Sequence, residues 1–231
     1  MVRLSKTQMI LVFEGIATLM LAFGVSNSSK SVLGDTFVAI SLLAGIMISA
    51  PFTGGHVNPA VSFGIFCERS RPISFSDLLI YWLGQVIGGT LGGLFSWFCT
   101  GEINGPDYTF VSGSGFIGDV LSEFIGTFIF VCTILILVHD QTNFTPNSFL
   151  CWMIIAVALF FSRHFAIHTG GCLNPAVAIG LQFSTGIILG NWHPLANCWV
   201  FLVGPLAGAL CAAIYYNMVY QAAYPRKSAS S

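Results

Sequence analysis

Thr53-Gly54-Gly55-His56-Val57-Asn58-Pro59-Ala60-Val61 returns in the second half of the chain as Thr169-Gly170-Gly171-Cys172-Leu173-Asn174-Pro175-Ala176-Val177. In each copy an Asn, a favoured helix N-cap, precedes a Pro, which is favoured at the first helical position, so each phrase reads as a helix start. The apolar stretches that follow, 60–66 and 176–183, are much shorter than the ~20 residues a helix needs to cross a bilayer. Polar, extended backbone at membrane depth is tolerated only where protein buries it or a wet cavity receives it, which makes the Thr-Gly-Gly segments natural pore linings. Two half-helices whose positive N-terminal ends meet near the midplane are hostile to protons and cations and affect uncharged solutes least. Each Asn can cap its own helix through its carbonyl and donate from its amide into the pore.

The surroundings of the two phrases are those of a membrane protein. Charged residues make up 7% of the chain and AVILMFWYC 55%, with a mean hydropathy of +0.82, far from a soluble domain. Six apolar runs are long enough to span, at roughly 8–26, 33–50, 76–99, 118–139, 149–167 and 195–220. No ten-residue alternation of the β-barrel kind repeats. The first run is longer than a signal peptide's apolar region and carries Glu14, so it is expected to be retained. Seven cysteines without a Cys-x-x-Cys pair lie mostly in apolar runs and predict neither a disulfide framework nor a metal site. A net charge of −1 offers nothing to nucleic acid.

A second pattern is duplicated with the first. Glu14-Gly15-Ile16-Ala17-Thr18 in the first span matches Glu123-Phe124-Ile125-Gly126-Thr127 in the fourth. Each half is therefore three spans plus one re-entrant element, repeat 1 over about 8–99 and repeat 2 over about 118–220, in one channel domain of 1–231 with a short polar tail at 224–231. An odd number of spans per half inserts the halves with opposite orientation, so the loops enter from opposite faces. Glutamates inside spans are costly and need partners, and their matched positions predict that Glu14 and Glu123 accept hydrogen bonds from the two loops and brace them. Arg3, Lys6, Arg69, Arg71, Arg226 and Lys227 fall on one side, against Lys30, Glu102 and Asp107 on the other, which predicts cytoplasmic N- and C-termini. Small residues four apart, Gly84, Gly88 and Gly92 with Gly204, Gly208 and Ala212, allow close crossings within or between subunits. Trp82, Trp97, Trp152, Trp192 and Trp199 read as interface anchors, Asn27-Ser28-Ser29 as a sequon against the membrane, and Ser228 as a phosphorylation candidate.

The paired Asn-Pro-Ala motifs, the two Glu-x-x-Gly/Ala-Thr patterns, Gln85 with Gly88 and Gly89, and Gly204-Pro205 with Gly208 resemble the major intrinsic protein family, the aquaporins and aquaglyceroporins, over nearly the whole chain. The resemblance implies an all-α fold of six transmembrane helices and two re-entrant half-helices in an inverted repeat. It also implies a homotetramer with one pore per subunit and passive flow of water and small neutral solutes across the lipid bilayer, with no catalysis and no cofactor. The pore-lining residues it designates are Asn58, Pro59, Ala60, Asn174, Pro175 and Ala176. His56 matches a common family position and is expected to order the first loop.

The family narrows its pore with four residues, one of them an Arg directly after the second Asn-Pro-Ala; here that residue is Val177. Counting positions gives a constriction of Val38, Ser162, Gly171 and Val177, small and uncharged. The Asp that usually follows the Arg in aquaglyceroporins is Ala178. Loss of the Arg should widen the gap and remove a donor and a charge. Three readings stay open: a broad pore for water, hydrogen peroxide, ammonia, urea or glycerol; an aquaporin-fold protein with little conductance that serves adhesion or a larger assembly, its pore occluded by Phe160, Phe161 or Phe165; or a pore rescued by another charge. Arg163 is the candidate for rescue, against the plainer reading of an Arg that snorkels or pairs with loop carbonyls. An active transporter would need coupling carboxylates that the spans lack. Cys172 is a candidate for block by thiol reagents unless the loop buries it. His164 and His168 have i, i+4 spacing but lack a third ligand, so no metal is expected.

Overall fold

Capping chemistry sets most helix starts. In the computed structural model, which describes residues 3–28, 32–70, 72–106 and 115–224, α1 (Lys6–Ser26) begins at a capping box of Ser5 and Gln8. After α2 (Val32–Thr53), Asn58 caps the short α3 (Pro59–Cys67), and Ser74 with Asp77 boxes the start of α4 (Phe75–Thr100). The second half follows with α5 (Gly115–Val138) and α6 (Ser148–Arg163), the latter capped by Asn147. Asn174 caps α7 (Pro175–Leu189), and α8 (Val200–Tyr215) runs on into one π-helical turn, Tyr216–Tyr220. Lys30, Arg71, Asp107, Arg226, Lys227, Ser228 and the Ser29 of the sequon lie outside the described residues.

Among the described residues, six helical segments are long and apolar enough to cross a membrane. Helix bounds depart from the sequence reading in three informative places. The second span continues through Pro51 to Thr53 and so delivers the chain directly to the first repeated phrase. The fifth stops being α-helical at Arg163 and tightens into a 3-10 segment, His164–Thr169, which delivers the second phrase. The second half-helix is 15 residues long against 9 for the first, because nothing stops it before Gly190, whose φ of 66° ends it. The extra turns pack on α4, where the Ser184 hydroxyl donates to the Thr90 carbonyl at 2.6 Å.

The halves are built alike: α1 packs chiefly on α4, and α5 chiefly on α8. Both crossings require glycine, since a Cβ on Gly88 would meet the Gly15 carbonyl at 2.1 Å and one on Gly208 the Phe124 carbonyl at 2.4 Å. The small-residue stripes therefore serve contacts within the chain. Half-helices α3 and α7 enter from opposite ends of the bundle, and their capped starts meet in a core that includes Val57, Leu173 and Val177. Outward faces carry exposed Leu83, Ile87, Leu91 and Val157. Trp82 differs from its expected role as an interface anchor: half-buried, it donates from Nε1 to the Pro59 carbonyl at 3.1 Å and brackets the start of α3.

Candidate functional site

Each repeated phrase turns through a left-handed residue that is not glycine, Val57 (φ 56°) in the first and Leu173 (φ 52°) in the second. Such backbone costs on the order of 1–3 kcal/mol per residue and persists only where its surroundings demand it. Here two carboxylates demand it. Glu14 Oε1 accepts from the His56 N–H (3.0 Å) and the Thr53 hydroxyl (2.7 Å), and Oε2 from the Val57 N–H (2.6 Å). Glu123 repeats the pattern with the Cys172 N–H (3.1 Å), the Thr169 hydroxyl (2.6 Å) and the Leu173 N–H (2.7 Å). Both glutamates are fully buried, and hydrogen bonds to a charged acceptor are worth about 1.5–3 kcal/mol each.

With the N–H groups turned to the glutamates, the carbonyls of Val57 and Leu173 point the other way. The Asn174 amide donates to the Val57 carbonyl at 2.9 Å, and the Asn58 amide to the Leu173 carbonyl at 2.8 Å. Their side-chain carbonyls cap the helices, Asn58 from Ala60 N–H (2.8 Å) and Asn174 from Ala176 N–H (3.0 Å). The asparagines thus lock the two loops to each other, and only the second N–H of each amide is left for a passing molecule.

Two cavities meet at this junction among the described residues. A vestibule of about 460 Å³ opens between the α2 end, the α5 end and the start of α6, with Pro51, His56, Val138 and Trp152 in its wall. The second cavity holds only about 10 Å³ and is lined by Asn58, Asn174, Val38, Arg163, Cys172 and Val177 among others. That is close to the space of a single water. Leu42, His56 and Phe130 line both, so the vestibule and the narrow cavity adjoin across these side chains.

Position counting designates Ser162 for the constriction, but it is the neighbouring Arg163 that lines the narrow cavity. Ser162 is buried with its carbonyl facing Gly126 of α5, and it lines neither cavity. Arg163 lines the narrow one, only 7% exposed, donating from Nη1 to the Gly171 carbonyl at 2.6 Å and from Nε to Asp35 Oδ1 at 2.8 Å. The bond to the Gly171 carbonyl is the loop-carbonyl pairing of the plainer reading, and the same guanidinium also lines the narrow cavity beside Val177. Gly171 contributes its carbonyl to this contact, and Val38 and Val177 supply apolar walls. A stripe at spacing four, Cys151, Ile155, Leu159 and Arg163, faces the path along α6 and was the sequence signal for this register.

His56 is buried, stacks on Tyr81 with ring centroids 4.2 Å apart, and pairs through Nδ1 with the Ser62 hydroxyl at 3.0 Å. Tyr81 in turn donates to the Thr53 carbonyl. Gln85 of the third-span motif donates from its amide to both Glu14 Oε2 (2.9 Å) and the Ser62 hydroxyl (3.0 Å). Cys172 lies in the wall of the narrow cavity, 5% exposed, with its thiol on the Asn174 carbonyl. His164 and His168 are both exposed on the 3-10 segment, where a spacing of four does not align side chains. Phe161 and Phe165 are exposed and pack on each other, and Phe160 lies against His164; none of the three lines either cavity.

The family model described as "Major intrinsic protein" matches residues 5–216. Among similar proteins, Aquaporin TIP1-2 of Zea mays is 31% identical over 202 residues, covering 85% of this chain and 74% of the relative. Probable aquaporin PIP1-2 of Oryza sativa subsp. japonica is 33% identical over 226 residues, 92% of this chain and 76% of the relative. The X-ray structure of the aquaglyceroporin from Plasmodium falciparum superposes with a TM-score of 0.79 at 20% identity, covering 93% of this chain and 97% of that one, which is a likeness of fold.

Proposed function

Because the chain belongs to the major intrinsic protein family, we propose that it is a passive pore for water and for uncharged molecules of similar size, with the permeation path between Asn58 and Asn174. It is an integral, multi-pass membrane protein and a channel, not an enzyme. One observation carries the finer reading: the two capped half-helix starts border a cavity of about 10 Å³, which admits a water and not a glycerol. In that segment the second N–H of each asparagine amide donates to the passing water, and a water that accepts from both relays a proton poorly. The positive ends of α3 and α7 add a barrier to cations. Val38, Gly171, Val177 and Arg163 form the constriction, with Arg163 in the part of the missing filter Arg. Glu14, Glu123 and His56 hold the loops in place. Phe160, Phe161 and Phe165, the candidate plugs, line neither cavity, which supports conduction over the alternative of an adhesion or assembly protein with a closed pore. Cytoplasmic termini and a homotetramer complete the proposal, from the Lys and Arg distribution and the family respectively.

Stopped-flow light scattering on vesicles reconstituted with the full chain tests it. Water permeability well above that of empty vesicles, with glycerol permeability at the empty-vesicle level, is the expected result. Assembled protein that moves no water above the empty control sinks the channel reading.

A further inference from the structure

We infer that Asp35 is a positioning residue of the pore: it holds the Arg163 guanidinium across the mouth and so sets which solutes pass. The inference rests on the channel reading above. Asp35 stands in the first turn of α2, and Arg163 is the last residue of α6; no local sequence relation joins them. Their side chains meet at 2.8 Å with only 17% and 8% of their surfaces exposed, so the pair is largely shielded from water. An Arg facing the interior of a membrane bundle is costly without a partner, and Asp35 supplies the charge.

Geometry gives the pair more than a stabilising role. Asp35 takes the Nε edge of the guanidinium while the Gly171 carbonyl takes Nη1, so the plane is fixed at two points, one on a transmembrane helix and one on the re-entrant loop. A guanidinium tied at both points cannot swing out of the narrow cavity that it lines. The other Asp35 oxygen faces His164, whose Nε2 is 3.9 Å away, beyond hydrogen-bond range, while His164 Nδ1 is engaged with the Phe160 carbonyl. Among the described residues Arg163 is thus the principal partner of Asp35, and the width of the mouth depends on the span from α2 to α6. A filter Arg carried on the loop itself would need no such tether.

Vesicles carrying the full chain separate this from a plain ion pair, with the ratio of glycerol to water permeability as the readout. Arg163→Ala should raise that ratio roughly tenfold or more by removing the side chain that fills the mouth. Asp35→Ala should raise it in the same direction by freeing the guanidinium, and Asp35→Asn, which keeps an acceptor and the shape, should raise it less. Because Asp35 acts through Arg163, the double variant should match Arg163→Ala alone. Wild-type ratios in both Asp35 variants beside a leaky Arg163→Ala would overturn the inference and leave the channel reading standing. So would additive effects in the double variant. A wild type that moves no water would instead bring down the channel reading and the inference with it. Should Asp35→Ala fail to assemble, the Asp35→Asn ratio decides alone, an unchanged value counting against the inference.

Discussion

Around the first re-entrant loop Glu14 works inside an uncharged network, with Gln85, Ser62, His56 and Tyr81 joined by hydrogen bonds and a ring stack. Around the second, Glu123 makes the matching loop contacts, but Pro205 stands at the place in the sixth span that Gln85 holds in the third, directly after the first glycine of the crossing, and Phe201 at that of Tyr81, three residues before it. The outer support of that loop comes from Arg163 on its Gly171 carbonyl, anchored by Asp35. The shared part is what any chain needs to hold strained backbone at membrane depth, namely a buried acceptor for two N–H groups and a hydroxyl. The part that differs is what faces the cavities: hydrogen-bonded and packed side chains on the vestibule side, a tethered guanidinium on the narrow one.

Substituting the shared part should have the largest effect in either half. Glu14→Ala and Glu123→Ala each leave two buried loop N–H groups unpaired at ~1–3 kcal/mol apiece, the Thr53 and Thr169 hydroxyls keeping the Ser49 and Ala166 carbonyls, so each should destabilise the fold by about 4 kcal/mol. Thermal unfolding of the detergent-solubilised protein should show both variants melting far below wild type, and equal stability in either would mean that the loop does not depend on its brace.

The differing part should give smaller and unequal effects. Gln85→Leu removes two buried hydrogen bonds from the first loop and should cost about 2 kcal/mol, whereas Phe201→Leu in the second half should lower stability through lost packing without loosening the Glu123 contacts. Hydrogen exchange at the amides of Val57 and Leu173 distinguishes the two: Gln85→Leu should speed exchange at Val57 and leave Leu173 unchanged. Smallest of all, Tyr81→Phe keeps the stack on His56 and loses one hydrogen bond to the Thr53 carbonyl, for about 1 kcal/mol seen as a small drop in melting temperature. A larger drop would make the first loop more dependent on Tyr81 than the network implies.

The duplicated phrase announces much of this architecture, since Asn-Pro at a helix start and a span glutamate repeated in register are local signals with one physical reading. The mouth is harder to read for two reasons. Arg163 and Ser162 are adjacent, and a count carried over from distant positions does not say which of the two faces the narrow cavity. The spacing-four stripe Cys151, Ile155, Leu159 and Arg163 carries the phase, because it is read along one helix. Asp35 has no such signal: a lone carboxylate near a span start reads as solvated until the fold brings α6 beside it. Trp82 misleads likewise, since an indole near a span end and an indole bracketing a half-helix look the same in one dimension.

The central claim, that Arg163 already fills the place of the missing filter Arg, is tested most directly by Val177→Arg. Val177 is 1% exposed beside a cavity of about 10 Å³ that Arg163 also lines, so a second guanidinium there would be overpacked and would face a like charge. Stopped-flow water permeability of Val177→Arg vesicles, normalised to the amount of assembled protein, is predicted to fall well below wild type. Water permeability at or above the wild-type level, with glycerol still excluded, would show an empty mouth waiting for an Arg and contradict the account.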